Sequence, residues 1–263
     1  MTGYCLSSCA NCDPNAVTVT LDTDFDSDID TDEANHPGYR VKGRFLYDRC
    51  DEKVILRGVN KMTVWQDKAG AAFPEIAKTG ANTVRIVWTT TDGTAAQMDT
   101  VIGKAIDNEL IPIIELHDAT GDLTKLSAVV DWWIKPEVVA VIQKYEENLL
   151  VNIANEVGAG LSNSEFVLAY KDAITKMRNA GYKTPLIIDA SGWGQNIDIL
   201  QACGPTLFNF DPYSNIMFSV HMWWPTIYHA VTAEYPTLSF FINMPPGFFI
   251  SCPHLFEAEF MVS

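Results

Sequence analysis

From Pro37-Gly38 onward the chain alternates short β-branched runs with longer stretches in which apolar residues recur at helical spacing. That is the pattern of repeated strand–helix units around a parallel sheet. Strands are predicted at Val54–Val59, Thr83–Trp88, Ile111–His117, Leu149–Asn155, Pro185–Asp189 and Met217–His221. Helices are predicted at Pro74–Thr79, Thr94–Asn108, Trp132–Lys144, Ser164–Ala180 and Ile197–Ala202. A doubly wound sheet and a barrel share this order. No Gly-x-Gly-x-x-Gly or Gly-x-x-x-x-Gly-Lys-Ser/Thr element follows the first strand, which removes the usual nucleotide-binding reading and leaves an α/β fold of the (β/α)8 type. Polar or aromatic residues close nearly every strand: Asn60, Arg85 and Trp88, His117 and Asp118, Asn155 and Glu156, Asp189, His221. In a barrel those ends converge on one face, where sites are built.

The length of 263 residues suits one such domain. Charge changes the picture at the N-terminus, where the run from Asp22 to Glu33 carries much of the formal net charge of −15. Its charges repel and its apolar content cannot support a core, so it reads as a solvated linker. It lacks the turn glycine of a calcium loop, with Ser27 at the sixth position counted from Asp22. The expected division is a segment 1–38 followed by a catalytic-type domain 39–263. The acidity argues against nucleic acid, which needs a basic footprint, and no apolar run reaches the roughly 18–20 residues of a membrane helix. Cys5, Cys9 and Cys12 cluster, with Cys50, Cys203 and Cys252 far apart. No suitably spaced His completes a zinc set, so no metal is expected. The segment after Met1 is polar and does not read as a signal peptide. Oligomeric state is left open.

Six motifs carry the chemistry: Leu56-Arg57-Gly58-Val59-Asn60, Asn82-Thr83-Val84-Arg85-Ile86, Glu115-Leu116-His117-Asp118-Ala119-Thr120, Asn152-Ile153-Ala154-Asn155-Glu156, Gly192-Trp193-Gly194-Gln195 and Phe218-Ser219-Val220-His221-Met222. In this order and spacing, from about Tyr39 to Pro225, they resemble glycoside hydrolase family 5, the cellulase and mannanase family of retaining endo-β-1,4-glycanases. The resemblance implies a secreted enzyme acting on a β-linked polysaccharide without a cofactor. It puts the general acid/base on Glu156 and gives Asn155 the sugar 2-hydroxyl. Arg85 would orient the nucleophilic carboxylate, and His117 and His221 would bind hydroxyls or tune the two acids. The chemistry needs a protonated carboxylic acid beside the leaving oxygen, and the apolar strand end Val151–Ala154 suits it. The plainer reading makes Arg85 a buried structural ion pair and the histidines satisfied core groups. Trp65, Trp88, Trp193 and Trp223 lie near strand ends, where indole faces can stack on sugars; Trp224 is adjacent, while Trp132 and Trp133 read as helix packing.

Beyond Pro225 the chain departs from the family pattern. A retaining mechanism needs a second carboxylate about 5–5.5 Å from the first, supplied in the family by Gly-Glu-Phe-Gly after the seventh strand. That motif is absent here. Leu255-Phe256-Glu257-Ala258-Glu259-Phe260 is the nearest equivalent, which makes Glu259 the expected nucleophile, with Glu257 and Glu234 behind it. An alternative alignment lays Leu238–Gly247 on the seventh strand, with Met244 at the catalytic position. Either way no eighth strand is expected. Lys61, where a mannanase-like pattern would often have His, tilts the substrate expectation toward glucans over mannans. Two other classes stay open: a barrel that binds polysaccharide without cleaving it, and a metal-dependent hydrolase using His117, Asp118 and His221.

Overall fold

The computed structural model of the chain describes residues 37–221 and 248–251. The first elements are three short strands, β1 (Arg40–Lys42), β2 (Phe45–Tyr47) and β3 (Lys53–Val54), which form an antiparallel sheet that the sequence pattern did not predict. There follow β4 (Gly58–Lys61), α1 (Thr63–Gln66), α2 (Phe73–Lys78), β5 (Thr83–Trp88), α3 (Ala95–Asp107), β6 (Ile111–Leu116), α4 (Leu126–Trp133), α5 (Pro136–Lys144), β7 (Leu150–Asn152), α6 (Asn163–Asn179), β8 (Leu186–Asp189), α7 (Ile197–Phe210), β9 (Ile216–His221) and β10 (Phe248–Ser251). Strands β4 to β10 lie side by side in chain order in one seven-stranded sheet, and every adjacent pair is parallel. This is a partial (β/α)8 barrel.

Strand alternation sorts the side chains into two layers. Val84, Ile86 and Trp88 of β5, with Ile114, Leu116, Val151, Ile188, Phe218 and Val220, pack outward into the main core against Ile102, Trp133, Ile142, Phe166 and Leu200 of the helices. Residues of the other parity face inward. Near the strand N-termini these are Ile111, Ile113, Leu150, Ile187 and Met217, which join Tyr39, Val41, Leu46, Val54 and Leu56 in a second cluster. The small antiparallel sheet therefore seals the base of the barrel. Asn215 clasps it there: its side chain accepts from the Val41 amide at 3.0 Å and donates to the Tyr39 carbonyl at 3.2 Å. Further along the same inward parity come Arg85, Glu115, Asn152, Asp189, Ser219 and His221, all buried and all polar.

Three expectations are corrected. The stretch Val54–Val59 is two strands in two sheets, because the Asn82 side chain takes over the backbone between them, accepting from the Arg57 amide at 2.6 Å and donating to the Ile55 carbonyl at 2.8 Å. The helix expected over Trp132–Lys144 is broken. Pro136 opens α5 and holds Lys135 extended, with ψ at 135°, since proline disfavours helical backbone in the residue before it. The seventh parallel strand is Phe248–Ser251, with Ser251 opposite His221. It is neither of the two segments considered for that position.

Candidate active site

Glu156 sits just beyond β7 with only 4% of its surface exposed. Its φ of 46° is in the left-handed region, an uncommon and strained setting for a residue with a side chain. Two hydrogen bonds hold it there: its amide donates to Asp189 Oδ2 at 3.1 Å, and its carbonyl accepts from the Gly121 amide at 2.8 Å. Its carboxylate Oε1 accepts from Nδ1 of His221 at 2.5 Å. The other imidazole nitrogen, Nε2, lies 3.2 Å from Asp189 Oδ2, at ion-pair distance but off a hydrogen-bonding direction. Gly194 covers His221 from above. Its carbonyl accepts from the His221 amide at 2.8 Å, and any Cβ at this position would fall 2.6 Å from His221 Cβ.

Beneath Glu156, the Arg85 guanidinium organises the floor. It donates from Nη2 to Asn152 Oδ1 at 2.6 Å, to Asn155 Oδ1 at 2.9 Å and to Asp189 Oδ2 at 3.4 Å, and its Nη1 lies 3.6 Å from Glu115 Oε1. Asn155 is thereby fixed in orientation, its amide donating to Thr120 Oγ1 at 2.9 Å. His117 Nδ1 pairs with Glu115 Oε1 at 2.9 Å, and the edge of the exposed Trp65 indole meets the His117 ring at a centroid distance of 6.0 Å.

The structure thus gathers Arg85, His117, Asn155, Glu156 and His221, with Trp65 and Trp193 standing exposed near them. Trp193 is flanked by left-handed Gly192 and Gly194 and is 54% exposed. A Cβ on Gly121 of the loop after β6 would meet its indole. Trp88 is a correction: it is fully buried on the outward face of β5, and a Cβ on Gly93 would strike its ring at 2.2 Å. It packs between sheet and helices and offers no face to a ligand. Trp223 and Glu259 lie outside the described residues, as do Glu257, Glu234 and Met244. Asp118, considered with the histidines as a metal ligand, turns away to accept from the amide and hydroxyl of Thr90. Among the described residues no cluster of three or more His, Cys, Asp or Glu groups could hold a metal ion. Glu115 and Asn152 were not singled out as site residues. The signal for Glu115 was parity, since it lies two residues before His117; Asn152 shares the inward face of β7 only with the apolar Leu150 and carried no such signal.

Burial acts to lower the pKa of His221, but the charge and close approach of Asp189 and the hydrogen bond to Glu156 outweigh it and push the imidazole up to about 9. Burial likewise works against the Asp189 carboxylate, and the His221 and Arg85 charges overcome it to hold its pKa low. Because the His221 value is raised on folding above about 6.5, its contribution to stability is complete below that pH and is lost as pH rises through about 9. The thermal midpoint is therefore expected to fall between pH 7 and 9.5. In His221→Gln that alkaline slope should flatten, and a wild-type midpoint that stays level across this range would refute the pairing.

A parallel barrel with a buried carboxylate, an oriented amide and exposed indoles at the C-terminal ends of its strands defines a barrel of the carbohydrate-active class. Residues 47–239 match the cellulase (glycosyl hydrolase family 5) family model, and the chain belongs to that family. It is 39% identical over 195 residues to a mannan endo-1,4-beta-mannosidase of Salipaludibacillus agaradhaerens, covering 71% of this chain and 62% of that protein. It is 36% identical over 220 residues to the protein of that name from Cellvibrio japonicus, covering 79% and 50%. The fold superposes on the mannohexaose complex of Thermomonospora fusca beta-mannanase with a TM-score of 0.71 at 29% identity, covering 81% of this chain and 74% of that one. The chain spans about half to three-fifths of the length of these curated relatives.

Proposed function

We propose that this chain is the catalytic part of a retaining endo-β-1,4-mannanase, residues 1–38 forming a linker ahead of a unit that begins near Tyr39. The observation that carries the reading is Glu156 itself: a carboxylate at the end of a barrel strand, held in a strained left-handed backbone beside an Asn155 amide fixed by Arg85 and Thr120. Glu156 protonates the departing glycosidic oxygen and then activates water, Asn155 hydrogen-bonds the 2-hydroxyl, and Glu259 supplies the nucleophile. Trp65, Trp193 and Trp223 stack on sugar faces. Mannan is the favoured substrate, not the glucan expected from Lys61. The relatives of substantial identity bear mannanase names, and Lys61 donates to Gln66 at the surface and so gives no reason to favour glucan. The chain acts outside the cell. Among the described residues no helix is long and apolar enough to cross a membrane, and Cys50 is disulfide-bonded, a bond that persists in oxidising compartments.

A second reading is favoured by one observation. The other carboxylates of the described site, Glu115 and Asp189, are fully buried and committed to ion pairs, which suits a barrel that binds polysaccharide without cleaving it. Reducing-sugar release from mannan, glucomannan, barley β-glucan and carboxymethylcellulose separates the readings. Mannan and glucomannan are expected to be cleaved fastest. Faster release from carboxymethylcellulose would overturn the mannan assignment, and retention on mannan without product would install the binding-only reading.

A further inference from the structure

Glu115 is a carboxylate with no exposed surface, lodged in the inward face of β6. Burying such a charge costs several kcal/mol unless it is paired, so its partners state what it is for. Its Oε1 meets His117 Nδ1 at 2.9 Å, while the Arg85 guanidinium stands farther off at 3.6 Å. Glu115 is on β6 and His117 is one residue past its end, two positions on, the step that returns a side chain to the same face. The rest of His117 is held just as closely. Its amide donates to the Trp88 carbonyl at 2.8 Å, its carbonyl accepts from Thr120 Oγ1 at 3.0 Å, and Trp65 meets its ring edge-on at 88°. With Nδ1 committed to Glu115, Nε2 is the ring nitrogen left for a ligand, and the side chain is 29% exposed.

We propose that Glu115 is a positioning residue: it fixes the proton of His117 on Nδ1 and turns Nε2 toward a hydroxyl of the bound sugar. The proposal rests on the mannanase reading for the identity of that ligand, but the locked imidazole is a property of the free protein. A carboxylate partner orients and polarises a histidine in the same way in other sites. The charged groups that face His117 are Glu115 from the end of β6, Arg85 from β5 and Glu156 from the loop after β7. Burial acts to lower its pKa, the Glu115 hydrogen bond and charge raise it, Arg85 opposes them and Glu156 adds to them, with a net rise. Removing the Glu115 charge leaves burial and Arg85 opposed only by Glu156.

The test is ¹⁵N and ¹H NMR titration of the histidines of the full chain, with His117 assigned through His117→Gln, in the wild type, Glu115→Gln and Glu115→Asp. Glu115→Gln keeps the side-chain shape and should fold. In it the His117 midpoint is expected to fall by about one pH unit or more and the Nδ1–H tautomer to lose its dominance. Glu115→Asp, which restores the charge at a shorter reach, should recover part of the midpoint. On mannan, Glu115→Gln should raise KM more than it lowers kcat, and should move the acidic limb of the kcat/KM profile. An unchanged His117 midpoint and tautomer in Glu115→Gln would overturn the proposal. If the wild type does not cleave mannan, the mannanase reading fails while the titration still decides the role of Glu115.

Discussion

Glu156→Gln is expected to lower kcat/KM on mannan by about 10²–10⁴-fold, the range that general acid/base groups contribute, with the thermal midpoint changed little. The amide keeps the shape of the carboxylate and still offers an oxygen to His221 Nδ1, which now lies 2.5 Å from Glu156 Oε1. What it lacks is a transferable proton. The loss should depend on the leaving group, because an aryl mannoside whose phenol departs without protonation does not call on the acid. With such a substrate the first step should survive and the second, which needs the base, should become limiting, so a burst of phenol precedes slow turnover. Equal losses on activated and unactivated substrates would mean that Glu156 does something other than move protons, and full activity on mannan would remove it from the mechanism altogether.

Arg85→Ala is expected to cost about 3–5 kcal/mol of stability, read as a lowered urea midpoint at unchanged slope. Breaking a buried pair by removing one partner leaves an uncompensated charge in the interior. Here two carboxylates are weakened together, for Asp189 loses a contact at 3.4 Å and Glu115 one at 3.6 Å, each is left with a histidine as its remaining ionic partner, and neither has exposed surface. Arg85→Lys should recover only part of the loss. A single ammonium cannot reproduce a fork that spans Asn152, Asn155 and Asp189 together. A midpoint within about 1 kcal/mol of wild type in Arg85→Ala would mean that the carboxylates find other partners, and the floor of the site would need a different account.

Most of the barrel was legible because its strands are short apolar runs separated by amphipathic helices of ordinary length. The five strands from Thr83 to His221 and the polar residues that end them were all visible as pattern. The base seal was not, since strands of two or three residues such as Arg40–Lys42 and Lys53–Val54 are too short to show alternation. The division at Pro136 was readable from proline chemistry and was overridden by the apolar run on either side. In the site, closeness to a strand end was legible but facing was the finer signal. Trp88 is three residues from Arg85, an odd step, so the two must point to opposite faces of β5. The same count marks Glu115, two residues before His117. The seventh strand was unreadable by pattern because Phe248–Ser251 lies in a long Phe- and Pro-rich stretch with no single period.

The clasp made by Asn215 bears on how the chain is born. Its side chain binds the Val41 amide across 174 residues of sequence, so the hairpin that seals the barrel is translated early and finds its anchor late. At about 5–20 residues per second of synthesis, the hairpin must wait on the order of 10–30 seconds, with Tyr39 and Leu46 lacking the apolar partners that later cover them.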